Sequence, residues 1–172
     1  MSFVLVFVDV QDNFLEGAAA VPGAGPLRAE LAALLERARS SGAPVVHVLN
    51  DGAQGEVDEP FGEGWQPTFP AREDEPVFRK TDPDAFTSPG LAEALAVTGA
   101  RGLVLAGFQS ESCISATGRR ALGEGYRVVL AQGAHGTFPG EGAGAAERAA
   151  AVERELRADG IEVSPARQIE FR

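Results

Sequence analysis

Sulfur and imidazole are scarce in this chain. Its 172 residues include one cysteine, Cys113, and two histidines, His47 and His135. One cysteine cannot close an internal disulfide, which agrees with a reducing compartment. Two histidines cannot build a metal site that needs three, and neither a metal nor another cofactor is expected. Clustered positive charge is missing as well. The chain sets 15 Lys and Arg against 25 Asp and Glu, a net charge of −10. Such a chain repels phosphate backbones and anionic lipid surfaces, so neither nucleic acid nor membrane is expected as a partner. The plain reading of the acidity is solubility. The longest apolar run, Phe3 to Val8, is far shorter than a spanning helix. No basic, apolar, small-residue order marks a signal peptide at the start, so the expected location is the cytoplasm.

What is present is ordinary globular composition, 44% hydrophobic and 23% charged, in a length that suits one domain over residues 1–172. Strand and helix patterns alternate. Phe3 to Asp9 is a continuous apolar run ending in an acid, as a strand buried on both faces reads. Pro26 suits a first helical position, with Leu27, Leu31, Leu34, Leu35 and Ala38 at helical spacing and Gly42 as the stop. Pro44 to Leu49 is a second buried strand. Residues 50–76 are rich in Gly, Pro, Asp and Glu and read as an excursion over one end of the sheet, tucked down by Trp65 and Phe69. Val77 and Phe78 start a short strand leading into Lys80. Ser88 and Pro89 suggest an N-cap and first turn for a helix through Leu91, Leu95 and Val97. Strands follow at Gly102–Gly107, Tyr126–Ala131 and Ile161–Val163. Helices are expected at Glu111–Leu122 and Ala143–Ala158, the latter with a Glu153–Arg157 surface pair. The expected class is α/β: a three-layer α/β/α sandwich whose mostly parallel sheet of about six strands carries helices on both faces.

Ligands in such sheets bind beyond the carboxyl ends of the strands, and three reactive side chains lie there: Asp9, Lys80 and Cys113. Each alone has a plainer reading, as a loop acid, a solvated surface base and a small buried hydrophobe. Together they supply a nucleophile, a base and an electrostatic partner. Cys113 sits in the first turn of a helix that follows a strand. The helix dipole and the Lys80 ammonium both favour thiolate, so an acidic thiol is expected. Asp9 could take its proton, and the backbone N–H groups of the turn could hold an oxyanion.

Three motifs then resemble one family. Val8-Asp9-Val10-Gln11-Asp12-Asn13-Phe14, Phe78-Arg79-Lys80 with Ala85-Phe86, and Gly107 to Thr117 with Ala121 and Gly125-Tyr126 are similar in order and spacing to those of the isochorismatase-like hydrolases, over roughly residues 3–138. The resemblance implies that Asp9 is the base, that Lys80 stabilises negative charge, and that Cys113 forms an acyl-enzyme with a carbonyl substrate. It also implies a non-proline cis peptide between Phe108 and Gln109, aiming the N–H groups of Gln109 and Cys113 at an oxyanion. Phe14, Trp65 and Phe86 are candidate walls of the substrate pocket. The nicotinamidase branch has an Asp-x-His metal motif after its second strand, and Asn50-Asp51-Gly52-Ala53 lacks that histidine. The retained cysteine favours an amide, carbamoyl, lactam or imide-derived substrate, and the Asn50-Asp51-Gly52 turn and His135-Gly136-Thr137 loop resemble the metal-free subgroup near streptothricin hydrolase. The alternatives are vinyl-ether hydrolysis of the isochorismatase type, or a non-catalytic member that binds small molecules or partners. His47 is expected in the core. His135 is expected either in a plain loop role or touching substrate. A homodimer or homotetramer is implied by the resemblance alone.

Overall fold

The computed structural model describes residues 2–171, so residues 1 and 172, the ends of the expected domain, lie outside the described residues. In chain order the elements are β1 (Phe3–Val8), α1 (Asp12–Leu15), α2 (Ala24–Ser41), β2 (Val45–Asn50), β3 (Val77–Lys80), α3 (Leu91–Val97), β4 (Gly102–Phe108), α4 (Ser115–Gly123), β5 (Arg127–Gly136), α5 (Ala145–Ala158) and β6 (Glu162–Pro165). A wide π-helical turn, Ser110–Ile114, joins β4 to α4. The six strands form one sheet in the order β3-β2-β1-β4-β5-β6, every pairing parallel. The expected α/β layering is therefore observed. No described helix is long and apolar enough to cross a membrane.

The continuous apolar strands divide their side chains between two cores. Phe3, Leu5 and Phe7 of β1 pack with Leu31, Leu34 and Leu35 of α2. Val4, Val6 and Val8 pack on the other side with Leu91 and Leu95 of α3, Ala121 of α4 and Val152 and Leu156 of α5. This is the period-2 signature of a strand covered on both faces. Between β1 and β4 the backbones approach so closely that a Cβ at Gly107 would lie 1.9 Å from the Val8 carbonyl oxygen, and Gly107 has φ +127°. Only glycine fits there.

Several expected boundaries shift. Pro26 is the third residue of α2 rather than the first, because Gly23 in the left-handed region starts the helix earlier. Ser88 does not cap α3. Gly90 does, and the Ser88 hydroxyl donates instead to the Arg79 carbonyl at 2.7 Å. The helix expected from Glu111 begins as the π-helical turn, and α5 starts at Ala145 instead of Ala143. The fifth strand runs on to Gly136 through an irregularity: Leu105 pairs with Leu130, but Gly107 pairs with His135. Gly133, at φ +88°, makes that detour possible. Glu153 does not form a surface pair but turns inward.

The excursion of residues 51–76 has no helix or strand and is held by polar contacts. The N–H groups of Asp12 and Asn13 donate to Gln66 and Gly64 carbonyls, each at 2.9 Å. Gln11 bonds Trp65 and Asn50 backbone atoms. Glu75 takes Arg39 Nε at 2.7 Å and His47 Nε2 at 3.0 Å. His47 is accordingly a core residue, as expected. Burial lowers its pKa, and Glu75 opposes this. Trp65 is buried and Phe69 packs against the core, in line with the tucked loop.

Candidate active site

The strand order reverses between β1 and β4, one of which leads back to β2 and the other onward to β5. A crevice opens at such a switch point beyond the strand ends. Here Asp9 follows β1, Lys80 ends β3, and Cys113 lies in the turn after β4. Asp9 has φ +53°, rare for a non-glycine residue, while its N–H still donates to the Val48 carbonyl at 2.8 Å. The strand thus ends abruptly and leaves the carboxylate over the sheet edge.

The three side chains meet. Lys80 Nζ lies 3.2 Å from Asp9 Oδ2, 3.3 Å from Cys113 Sγ and 3.2 Å from Asn50 Oδ1. The Lys80 side chain is 0% exposed. An ammonium has three donors, and each one finds an acceptor in this cluster. Asp9 Oδ1 is buried with no hydrogen-bond partner among the described residues, which leaves a free acceptor beside the thiol. Burial pushes the Asp9 pKa up to about 6, against the pull of Lys80 and Cys113. Burial, together with the Asp9 charge, pushes the Cys113 thiol up to about 11 despite Lys80. The acidic thiol expected from sequence is therefore corrected. The helix end and the ammonium are present, but desolvation and a neighbouring carboxylate outweigh them. The site holds a thiol beside a ready proton acceptor.

The Phe108–Gln109 peptide is cis. The turn that follows closes on Gln109, whose carbonyl accepts from Ser112 N at 3.1 Å and Ile114 N at 3.2 Å. The Gln109 N–H has no partner among the described residues. Asp9, Phe14, Asn50, Asp58, Gln109 and Cys113 line a cleft of about 240 Å³, completed by Thr81, Pro83 and Ser112. Phe14 stacks on Phe108 with ring centroids 4.9 Å apart, which fixes that wall. Trp65 and Phe86 do not line the cleft. Trp65 donates from Nε1 to Asp51 and packs under Arg79, pinning the loop. Phe86 packs in the second core beside Tyr126. His135 is buried behind the turn, bonded to Ser110 and Glu153, and does not line the cleft.

Sequence reasoning missed Asn50 and Asp58. Asn50 ends β2, so the strand-end filter that found Asp9 could have found it. Its side chain bridges Lys80 and Asp58, donating to Asp58 Oδ2 at 2.7 Å. Asp58 lies in the irregular excursion, where no periodicity marks it. Among the described residues no group of three or more His, Cys, Asp or Glu side chains is placed to ligate a metal.

The isochorismatase domain model matches residues 3–163. The chain belongs to the isochorismatase family. The resemblance of the three motifs to isochorismatase-like hydrolases is thus borne out. Within the family, a streptothricin hydrolase of Streptomyces noursei is 46% identical over 136 residues, 78% of this chain and 49% of that protein. A secreted isochorismatase effector of Verticillium dahliae is 30% identical over 77% of this chain and 72% of its own length. The chain spans about half the length of the streptothricin hydrolases it matches. Among solved structures, an isochorismatase from Pseudomonas putida superposes with a TM-score of 0.86 at 32% identity, over 98% of this chain and 90% of that one.

Proposed function

We propose that this isochorismatase-family chain is a cysteine hydrolase that cleaves an amide, lactam or carbamoyl C–N bond in a small molecule. The observation that carries the reading is one buried ammonium touching both a carboxylate and a thiol at the floor of a narrow cleft. The streptothricin hydrolases among the relatives make streptothricin the first substrate to test.

In the proposed path the Cys113 proton passes to Asp9 as sulfur attacks the carbonyl carbon. The C=O electron pair moves onto oxygen, which takes hydrogen bonds from the Gln109 and Cys113 N–H groups. Lys80 stays protonated and offsets the negative charge moving through the cluster. The C–N bond then breaks, and the amine leaves with the proton held by Asp9. Water, giving a proton back to Asp9, attacks the thioester. The acid departs, and the proton on Asp9 returns to Cys113. Because the resting thiol is a poor acid, proton transfer and attack occur together once a carbonyl is bound.

Cys113→Ala should lower turnover of an amide and lactam panel at least about 1000-fold, read as ammonia or amine release. Unchanged turnover would refute the reading. Hydrolysis of isochorismate by the same variant would mark vinyl-ether chemistry instead. We further propose a homodimer or homotetramer, on family resemblance, with light scattering as the check. A cytoplasmic setting suits a mechanism that depends on one reduced sulfur.

A further inference from the structure

Behind the turn that carries Cys113 lies a second polar chain, none of whose members lines the cleft. Ser110 Oγ is 2.8 Å from His135 Nδ1, and His135 Nε2 is 3.1 Å from Glu153 Oε1. Gln132 Nε2 donates to the other oxygen, Glu153 Oε2, at 2.7 Å. Ser110, His135 and Glu153 are all buried. Burying an acid and an imidazole is costly unless each polar atom is paired, and here the pairs run unbroken from α5 to the turn. The detour in β5 at Gly133 is what delivers His135 to this position.

The direction of the His135–Glu153 bond follows from the acid. The hydrogen bond from His135 holds the Glu153 carboxyl below the usual range, against the effect of burial. An ionised carboxylate only accepts, so His135 Nε2 carries a hydrogen and donates. The other ring nitrogen, Nδ1, pairs with the Ser110 hydroxyl. Ser110 is gripped from the other side as well, because the Ser115 hydroxyl donates to the Ser110 carbonyl at 2.9 Å. Cys113 lies between Ser110 and Ser115, and Gln109 directly precedes them. Arg148 of α5 also reaches Glu111 of the turn at 3.2 Å, a partly exposed pair that counts for less.

We infer that Ser110, His135 and Glu153 form a positioning relay that fixes the nucleophile turn against α5 and so sets the rate of the chemical step. The inference rests on the proposed role of Cys113. These residues touch neither substrate nor the reacting atoms. They act by holding the sulfur and the Gln109 N–H in register with a carbonyl, where displacements well under 1 Å already cost rate.

The test measures kcat and KM for the full chain and for Ser110→Ala, His135→Gln, Glu153→Gln and the Ser110→Ala/Glu153→Gln double variant, on whichever amide the wild type hydrolyses. Cys113→Ala is run beside them. Ser110→Ala is expected to lower kcat roughly 10- to 100-fold with KM within about threefold. The double variant is expected to be no slower than the slower single one, because one broken link already frees the turn. Wild-type kcat in Ser110→Ala, or losses that multiply in the double variant, would overturn the relay. Should His135→Gln or Glu153→Gln fail to fold, Ser110→Ala, which removes one oxygen, decides alone. A dead Cys113→Ala beside a fully active Ser110→Ala sinks the relay only. An active Cys113→Ala sinks the nucleophile assignment itself.

Discussion

Asp9 shows how burial tunes a single group toward its task. A carboxyl pushed up to about 6 is ionised at neutral pH yet basic enough to take a proton. If it is the base, kcat/KM should fall about tenfold per pH unit below about 6, and a pH–rate profile reads this directly. The stability sign is the opposite one. A folded pKa above the unfolded value means that Asp9 contributes stability at low pH and loses that contribution as pH rises through about 6. Function at neutral pH therefore keeps a strained charge in place. The thiol gives a second check. Held near 11, Cys113 should react with iodoacetamide at pH 7 more slowly than a free thiol, as timed alkylation and mass spectrometry would record. At this scale the sequence was readable for identity and unreadable for protonation. Asp9, Lys80 and Cys113 stand at strand ends, which a run of apolar residues announces. The state of the sulfur depends on how completely neighbours exclude water, and no local pattern encodes that sum.

Elements were legible where the apolar period was strong. β1, β2 and β4 carry unbroken apolar runs, and the spaced leucines of α2 show one buried face. The last half of β5 was hidden because Gln132-Gly133-Ala134 breaks its run, although the ladder continues to Gly136. Glu153 was read as a solvent-facing partner of Arg157, and only packing shows that its side of α5 meets His135. The excursion between β2 and β3 hangs on Glu75. Burial would raise this carboxyl, but hydrogen bonds from Arg39, the Arg72 N–H and His47 hold it at about 2. A depressed carboxyl contributes stability above its unfolded pKa and loses it on acidification. Thermal melts should therefore weaken between about pH 4.5 and 2. Glu75→Ala, which takes the carboxylate partner from Arg39 and His47, should cost roughly 3 kcal/mol in a urea titration. Gly107→Ala should cost at least as much, about 3 kcal/mol or more, because its methyl would meet the Val8 carbonyl and drive β1 from β4.

At the scale of the molecule, strand order turns three distant sequence positions into one site. β1 and β4 are neighbours although far apart in sequence, β1 ending at Val8 and β4 starting at Gly102, and β3 reaches the same edge through β2. The α/β class was readable from the alternation of patterns, whereas the detailed cleft wall was not. Phe14 follows the first strand and lines the cleft, while Trp65 and Phe86 depend on how an aperiodic loop and a short 3₁₀ turn settle. The margins of the sheet carry a further consequence. β3 and β6 are each four residues long, and β6 ends in Pro165, which offers no N–H. A guest polypeptide finds little free ladder on which to lie as a seventh strand. Extended chains are thereby turned away from the two flanks of the sheet, and the half-buried sulfur of Cys113 is met in the cleft instead.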